Sequence, residues 1–539
     1  MMNENTFNKV IRPLLWVITI ALAAGIVIRA VSGSRQKTIN INSNGSDWAK
    51  LMLVLESVDK NYVDDIDHKK VIEDIIPDVM KELDPHSVYL PPEELKEAEE
   101  SLAGGFEGIG IQFNVPNDTV VVNSVITGGP SEKAGLRVGD KVIKVDDRVI
   151  AGVEMPQDTM ISLMRGPKGT KVIISVLRHG SDELIPFTIT RDKIPVNSID
   201  VSYMLNDTTG YIKLSKFART TYAEFVQALD KLRDRGMKRL VFDLRDNTGG
   251  YLDQAMLLSN EFLEKGQMIV YMEGKARPRT DLRADGRGRN QDMDIAVLIN
   301  QGSASASEIF AGAIQDNDRG TIYGVRSFGK GLVQEPVYFS DGSGIRLTVA
   351  RYYTPAGRCI QKPYSDDYEL EIYERYATGE MFSADSIKLD NETQYKTLGG
   401  RTVYGGGGIV PDVFVPVDTL GVTDFYVECN RLGLQIKYAS EVLDAHTSEV
   451  SAAKDMAAFD RFINNLGIER GFLSFAARNK VVPAEGEWER SKDYMLTQIR
   501  ALIARYTPMG DEAFYPIYQQ TDKLIQIAVK NETVDSSSD

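Results

Sequence analysis

Apolar positions along this chain follow three different periods, and the changes of period divide it. From Trp48 to about Leu102 the spacing is helical, with Leu51, Val54, Leu55 and Val58 on one face. Asp84-Pro85-His86-Ser87 interrupts that run, and two prolines followed by acidic residues restart it. Residues 104–192 switch to short β-type runs such as IGIQFNV, TVVVNSVI and KVIISVLR, separated by turn signals, with a helical stretch near 158–164. Residues 195–360 alternate again. Strands are expected at GYIKLSKF, RLVFDLR and DIAVLIN, and helices at TYAEFVQALDKLRDRG, YLDQAMLLSNEFL and ASEIFAGAIQD. Such alternation predicts an α/β layer fold around a buried sheet. Residues 362–400 are polar and irregular and read as an insertion. YGGGGIVPDVFVP at 404–416 reads as a returning strand, and 417–539 as mostly helical.

The N-terminal pattern is different. Pro13 to Ile28 carries no charge, follows Lys9 and Arg12, and precedes Arg29. It fits the apolar core of a signal peptide, and also a short membrane anchor. Residues 1–33 are therefore expected to be a signal anchor or signal peptide, and 34–46 a polar linker. Either way the body of the chain is expected outside the cytoplasm.

Charge and composition remove several classes. A net charge of −15 over 539 residues repels phosphates, so no nucleic acid partner is expected. Two cysteines, Cys359 and Cys429, cannot build a four-ligand zinc site, and no metal or cofactor is expected. They are left open as a disulfide or as two thiols. The segment 275–289 holds six basic and two acidic residues and reads as a solvated loop, with an anionic-lipid or substrate contact as the alternative.

Four histidines occur, at 68, 86, 179 and 446, and none lies within 195–360. A hydrolase here needs another base. In VLINQGSASASEIFAGAIQD a buried strand ends at Asn300 and a helix begins near Ser305 to Glu308. Unpaired amides at such a junction can hold a developing oxyanion. Ser303, Ser305 and Ser307 are also ordinary helix-capping residues. In GVRSFGKGLVQ, Lys330 sits between glycines. A partly dehydrated lysine loses proton affinity and can take a proton from a serine. Gln334 can accept from or orient that amine. A solvated lysine in a glycine-rich turn is the plain alternative. The Asn247-Thr248-Gly249-Gly250 turn at a helix start offers further bare amides.

Together these strings resemble the carboxy-terminal processing (tail-specific) proteases of the Ser/Lys type. DLRDNTGG, QGSASASEIFAGAIQD, SFGKGLVQ and IRLTVARYYTPAGRCIQ followed by GGGGIVPD stand in that family's order. The resemblance spans roughly 48–416. It implies Ser305 as nucleophile, Lys330 as general base and Gln334 as its support. It also implies an oxyanion hole from Ala306 with Gly249 or Gly250, and a PDZ module whose loop amides at Gly108, Ile109 and Gly110 hold a peptide C-terminus. Thr248 replaces the family's usual turn proline, which removes no donor.

The implied organisation is multidomain α/β (α+β). It comprises an N-terminal helical region (47–103), a PDZ β-rich module (104–192) and an α/β layered, crotonase/ClpP-like core (193–361 and 401–416). An insertion (362–400) and a C-terminal helical extension (417–539) complete it. The implied activity is a serine endopeptidase that cleaves envelope proteins near their C-termini, anchored in the inner membrane on the periplasmic side or exported. Its partners are protein and peptide substrates engaged through their C-termini and the inner membrane, with self-association left open. The alternatives are a non-catalytic PDZ scaffold on a protease-like core, and an acyl-thioester enzyme.

Overall fold

The computed structural model describes residues 48–530 except 127, 179, 365–367, 369 and 388–393. The expected targeting segment at 13–28 and the linker lie outside the described residues. Among those described, no helix is long and apolar enough to cross a membrane. The chain forms two compact units that divide between Ile76 and Pro77. In the first, the helix Trp48–Asn61 leaves Leu51, Val54 and Val58 exposed.

The second unit holds the α/β core. Its main sheet has six strands in the order Ile199–Met204, Thr209–Leu214, Arg239–Asp243, Asp294–Ile299, Thr321–Gly324 and Val413–Phe414. The first pair is antiparallel and the rest are parallel. Both faces are buried, which explains the unbroken apolar runs. Ile212, Leu240, Phe242, Val297 and Ile322 pack with the helices Thr221–Asp234, Leu252–Asn260 and Ala306–Asp316. Their neighbours Tyr211, Val241, Ala296, Leu298 and Tyr323 face the other way, against Ile525 and Ala528 of the helix Lys523–Lys530. The last described helix thus covers the second face of the sheet.

A second, antiparallel sheet was not anticipated. Gly344–Tyr353 pairs with Val88–Leu90, Met268–Gly274 and Leu332–Tyr338, and Arg277–Arg283 forms the edge. Two of its features, and one of the main sheet, differ from the sequence reading. The break at 84–87 leads first into the unforeseen strand Val88–Leu90, and the helix then restarts at Pro92–Leu102 with proline and acids in its first turn, as expected. The basic segment 275–289 begins as a hairpin strand instead of a loop. Its arginines pair with acids: Arg277 with Glu335, Arg279 and Arg283 with Asp281, and Arg289 with Asp230. The returning segment at 404–416 does return to the main sheet, but only through the two residues Val413–Phe414 at its edge.

The PDZ module is a sheet in the order Ile111–Asn114, Val120–Val125, Lys141–Val145, Lys171–Leu177 and Ile185–Thr190, with the helix Gln157–Met164. Its own core includes Val120, Val142, Ile150, Met160 and Ile174. It meets the C-terminal helices through Lys141 to Asp444 at 2.8 Å and Tyr506 to the Asn123 side chain at 2.7 Å. Cys359 and Cys429 are unpaired thiols, and burial pushes Cys429 up to about 12.

At the sheet's carboxyl end, Asp243 is fully buried. It accepts from Tyr211 at 2.7 Å and pairs with Arg245, which also meets Asp522 at 2.8 Å. Burial pushes the carboxyl up, but Arg245 and Lys213 outweigh it and hold Asp243 at about 2. The folded value lies below the ordinary carboxylate value, so the pair stabilises the fold above about pH 4 and loses that effect as pH falls towards 2. Asp243→Ala is expected to cost about 3 kcal/mol at neutral pH, because a buried guanidinium loses its nearest partner. Thermal unfolding at pH 7 and pH 3 checks this: the gap from wild type should narrow at the lower pH.

Candidate active site

The segment after the strand Asp294–Ile299 separates the three serines by what their hydroxyls do. Ser303 is buried and donates to the Leu244 carbonyl at 2.8 Å. Ser307 is buried and donates to the Asn247 carbonyl at 2.8 Å. Both hydroxyls stitch the helix start to the neighbouring segment 244–247, the second at the head of the Asn247-Gly250 turn. Ser305 is half-buried and caps the helix Ala306–Asp316 with φ +55° and ψ −112°. That φ is strained for a residue with a Cβ, and strain of this kind clusters at functional sites.

Glu308 holds this corner. Its carboxylate is buried and accepts from four donors. These are the Ser305 amide (2.8 Å), the Lys330 amide (2.9 Å), the Gly329 amide (2.7 Å) and the Ser327 hydroxyl (2.5 Å). Burial pushes the carboxyl up, against the pull of those donors. The Ser305 and Lys330 amides share a single oxygen, so the two backbones lie side by side. The Tyr352 hydroxyl faces the carbonyl oxygens of both residues. Glu308 was not singled out from the sequence, although its capping-box spacing from Ser305 is a signal that identifies it. Nothing in the sequence pointed to Tyr352.

The Lys330 amine is half-buried and donates to Gln334 Oε1 at 2.9 Å. Burial, and then the nearby Arg346, lower its proton affinity, while Asp84 and Glu308 oppose them. The hydrogen bond it makes is to Gln334, and it makes none to the Ser305 hydroxyl. Catalytic bonds often form only with substrate in place.

The Asn247-Gly250 turn packs directly on this serine. A Cβ on Gly249, which has φ +104°, would lie 2.8 Å from Ser305 Cβ and 2.9 Å from the Ala306 nitrogen. The Gly249 amide donates to Asn247 Oδ1 at 2.9 Å. Among the described residues, the amides of Gly250 and Ala306 make no hydrogen bond. The two glycines left open by the sequence therefore differ: one amide is occupied and the other is available.

One histidine does reach the site. His86 lies far from the core in sequence, yet its carbonyl accepts from Gln334 Nε2 at 2.5 Å, and its ring meets the Tyr368 hydroxyl at 2.7 Å. Burial, and then Lys330, lower His86 to about 4, so the ring is neutral at physiological pH. The segment 362–400, expected to be irregular, buttresses the lysine loop. Arg375 donates to the Ser327 and Arg326 carbonyls, and Glu380 pairs with both Arg326 and Arg375.

In the PDZ module, Gly108 faces Asp192 across a two-strand ladder, while Ile109 and Gly110 lie past its end. Gly110 has φ +78°. They lead into Ile111–Asn114, the end strand of its sheet, which has no strand paired on its other side among the described residues.

Residues 208–370 match the model of peptidase family S41, 108–189 match the PDZ domain, and 425–507 match a family of unknown function. The chain is 36% identical over 385 residues to a probable CtpA-like serine protease of Staphylococcus aureus (strain COL), with 70% of this chain and 76% of that protein aligned. It is 36% identical over 355 residues to the carboxy-terminal-processing protease of Bartonella bacilliformis, covering 65% of this chain and 80% of that one. A solved photosystem II D1 C-terminal processing protease aligns at 29% identity and a TM-score of 0.38, over 72% of this chain and 92% of that one.

Proposed function

This chain belongs to peptidase family S41 and is a serine peptidase of the C-terminal processing type, and on that basis we propose that Ser305 is its nucleophile and Lys330 its general base. The observation that carries the assignment is the single Glu308 oxygen that binds both backbones beside a dehydrated amine. A substrate C-terminus docks on the PDZ module at Ile109 and Gly110, and the upstream chain reaches the core as an extended strand. Neutral Lys330 takes the Ser305 proton as Oγ attacks the carbonyl carbon. The amides of Ala306 and Gly250 hold the oxyanion. The lysine then gives the proton to the leaving amine as the peptide bond breaks. It next deprotonates a water, which releases the acyl product and restores Ser305. Gln334 accepts one amine hydrogen and so leaves the lone pair facing the serine.

The substrates are envelope proteins with accessible C-terminal tails. The charge-free stretch at 13–28 supports export, with the catalytic body on the outer side of the inner membrane. The test is a pair of unstructured peptides that differ only in a free or an amidated C-terminus. Faster cleavage of the free acid, lost in Ser305→Ala, is expected. Equal cleavage of both peptides removes the docking role, and cleavage by Ser305→Ala removes the nucleophile.

Only the neutral amine is a base, so kcat/KM rises with pH as Lys330 deprotonates. The midpoint is expected below the ordinary lysine range, because burial disfavours the ammonium form. A rate independent of pH from neutral to alkaline contradicts this.

A further inference from the structure

The break at 84–87 has no part in the reaction as described, yet it closes a ring of hydrogen bonds around the lysine. Lys330 donates to Gln334, and Gln334 Nε2 donates to the His86 carbonyl. The His86 ring meets Tyr368, whose hydroxyl accepts from Gln361 at 3.1 Å, and Gln361 accepts from the Gly331 amide at 2.9 Å. Gly331 follows Lys330, so the ring returns to its start.

We propose that the turn Asp84-Pro85-His86-Ser87 is a positioning element of the active site, in which the His86 carbonyl fixes the sense of the Gln334 amide. This rests on Lys330 being the base. A glutamine amide has two faces of opposite character. With Oε1 towards Lys330, the amine donates to it and its lone pair stays free for the Ser305 proton. With the amide reversed, Nε2 donates into that lone pair and the base is quenched. The carbonyl of His86 is an acceptor only, so it holds Nε2 and forbids the reversal.

The turn is built to keep that carbonyl in place. Asp84 Oδ1 accepts from the His86 and Ser87 amides, both at 2.8 Å, and Oδ2 accepts from the Ser87 hydroxyl at 2.7 Å. The Ser87 hydroxyl accepts from the Thr348 amide at 3.1 Å. Val88–Leu90 then pairs with Gly344, Ile345 and Arg346, on the strand that also pairs with the one bearing Gln334. Asp84 therefore acts through the peptide and not by contact with substrate. The charged or titratable groups around the amine are Arg346, Asp84, Glu308 and His86.

The test is a double-mutant cycle on the full chain, with an unstructured peptide as substrate. Asp84→Ala is expected to lower kcat by about tenfold or more with KM little changed, and to have less than about a twofold effect when Gln334→Ala is already present. Asp84→Asn keeps the Oδ1 acceptor. It is expected to retain most of kcat while the rising pH limb moves to lower pH, because the carboxylate facing the amine is gone. Where Asp84→Ala melts below the assay temperature, Ser87→Ala takes its place in the cycle with the same expectation. Effects that multiply independently of Gln334, or an unchanged kcat in Asp84→Ala, overturn the proposal. Wild type and Ser305→Ala run alongside: an active wild type with an inert serine variant keeps the dyad, so failure of the cycle then falls on the turn alone.

Discussion

Replacing Ser305 by alanine is expected to lower kcat for peptide cleavage by roughly four to six orders of magnitude, and replacing Lys330 by alanine by nearly as much. The double variant is expected to be no slower than the slower single one. The reason is that, in the proposed mechanism, nucleophile and base act in one event. Without the base, the hydroxyl keeps its proton at the moment of attack. Without the hydroxyl, the amine has nothing to deprotonate. What remains is the activity of the oxyanion amides and of binding alone. Single-turnover kinetics on the three variants measure this directly. Residual rates that multiply would mean that the two residues work separately, and Lys330 would then not be the base for Ser305. The three variants should melt close to wild type. The Ser305 hydroxyl makes no bond to the amine, and truncating it leaves the Glu308 contacts with the two backbones intact.

Removal of Glu308 should be almost as damaging, for a different reason. Its carboxylate touches no substrate, but it satisfies three backbone amides and one hydroxyl in a buried corner. Each buried donor left without a partner costs about 1–3 kcal/mol. The sum is a large part of the ~5–15 kcal/mol that holds an ordinary domain together. Glu308→Ala is therefore expected to lower the melting temperature of the core markedly. The fraction still folded should lose activity by about 100-fold or more, because the backbones of Ser305 and Lys330 are no longer held by a common oxygen. Glu308→Gln keeps one acceptor oxygen and should fall between. Calorimetry with activity normalised to folded protein checks both effects. A stable and active Glu308→Ala variant would show that Tyr352 and the turn around Asn247 suffice to align the site.

The packing around Glu308 also shows how the fold and the reaction depend on each other. The helix Ala306–Asp316 is buried along its whole length; Ser305 caps it, and its first turn carries the Glu308 carboxylate that holds the Lys330 loop. The loop in turn is clamped from outside by Arg375 and Glu380. A region that reads as surface insertion is thereby part of the scaffold of the site. Its buried charges are paired and hydrogen-bonded, the condition under which burial of charge is tolerated.

Much of this was legible in the chain itself. Strand-to-helix junctions at Asn300–Ser305 and Asn247–Gly250 are written locally, by apolar runs that end in small and capping residues. The order of the core strands and helices follows from the same local signals, whereas the choice of Ser305, Lys330 and Gln334 rests on the family resemblance, because local pattern leaves three serines open. Tertiary structure decided what local pattern cannot encode. It set three serines apart by giving the Ser303 and Ser307 hydroxyls carbonyl partners at Leu244 and Asn247. It distinguished Gly249 from Gly250 by occupying one amide. It brought His86 to Gln334 across 248 residues of sequence, and the helix Lys523–Lys530 onto the far face of the sheet. Periodicity reports which face of an element is buried, but not what buries it. Contacts between distant segments depend on shape and on leftover hydrogen-bonding groups, and these exist only once the layers have packed.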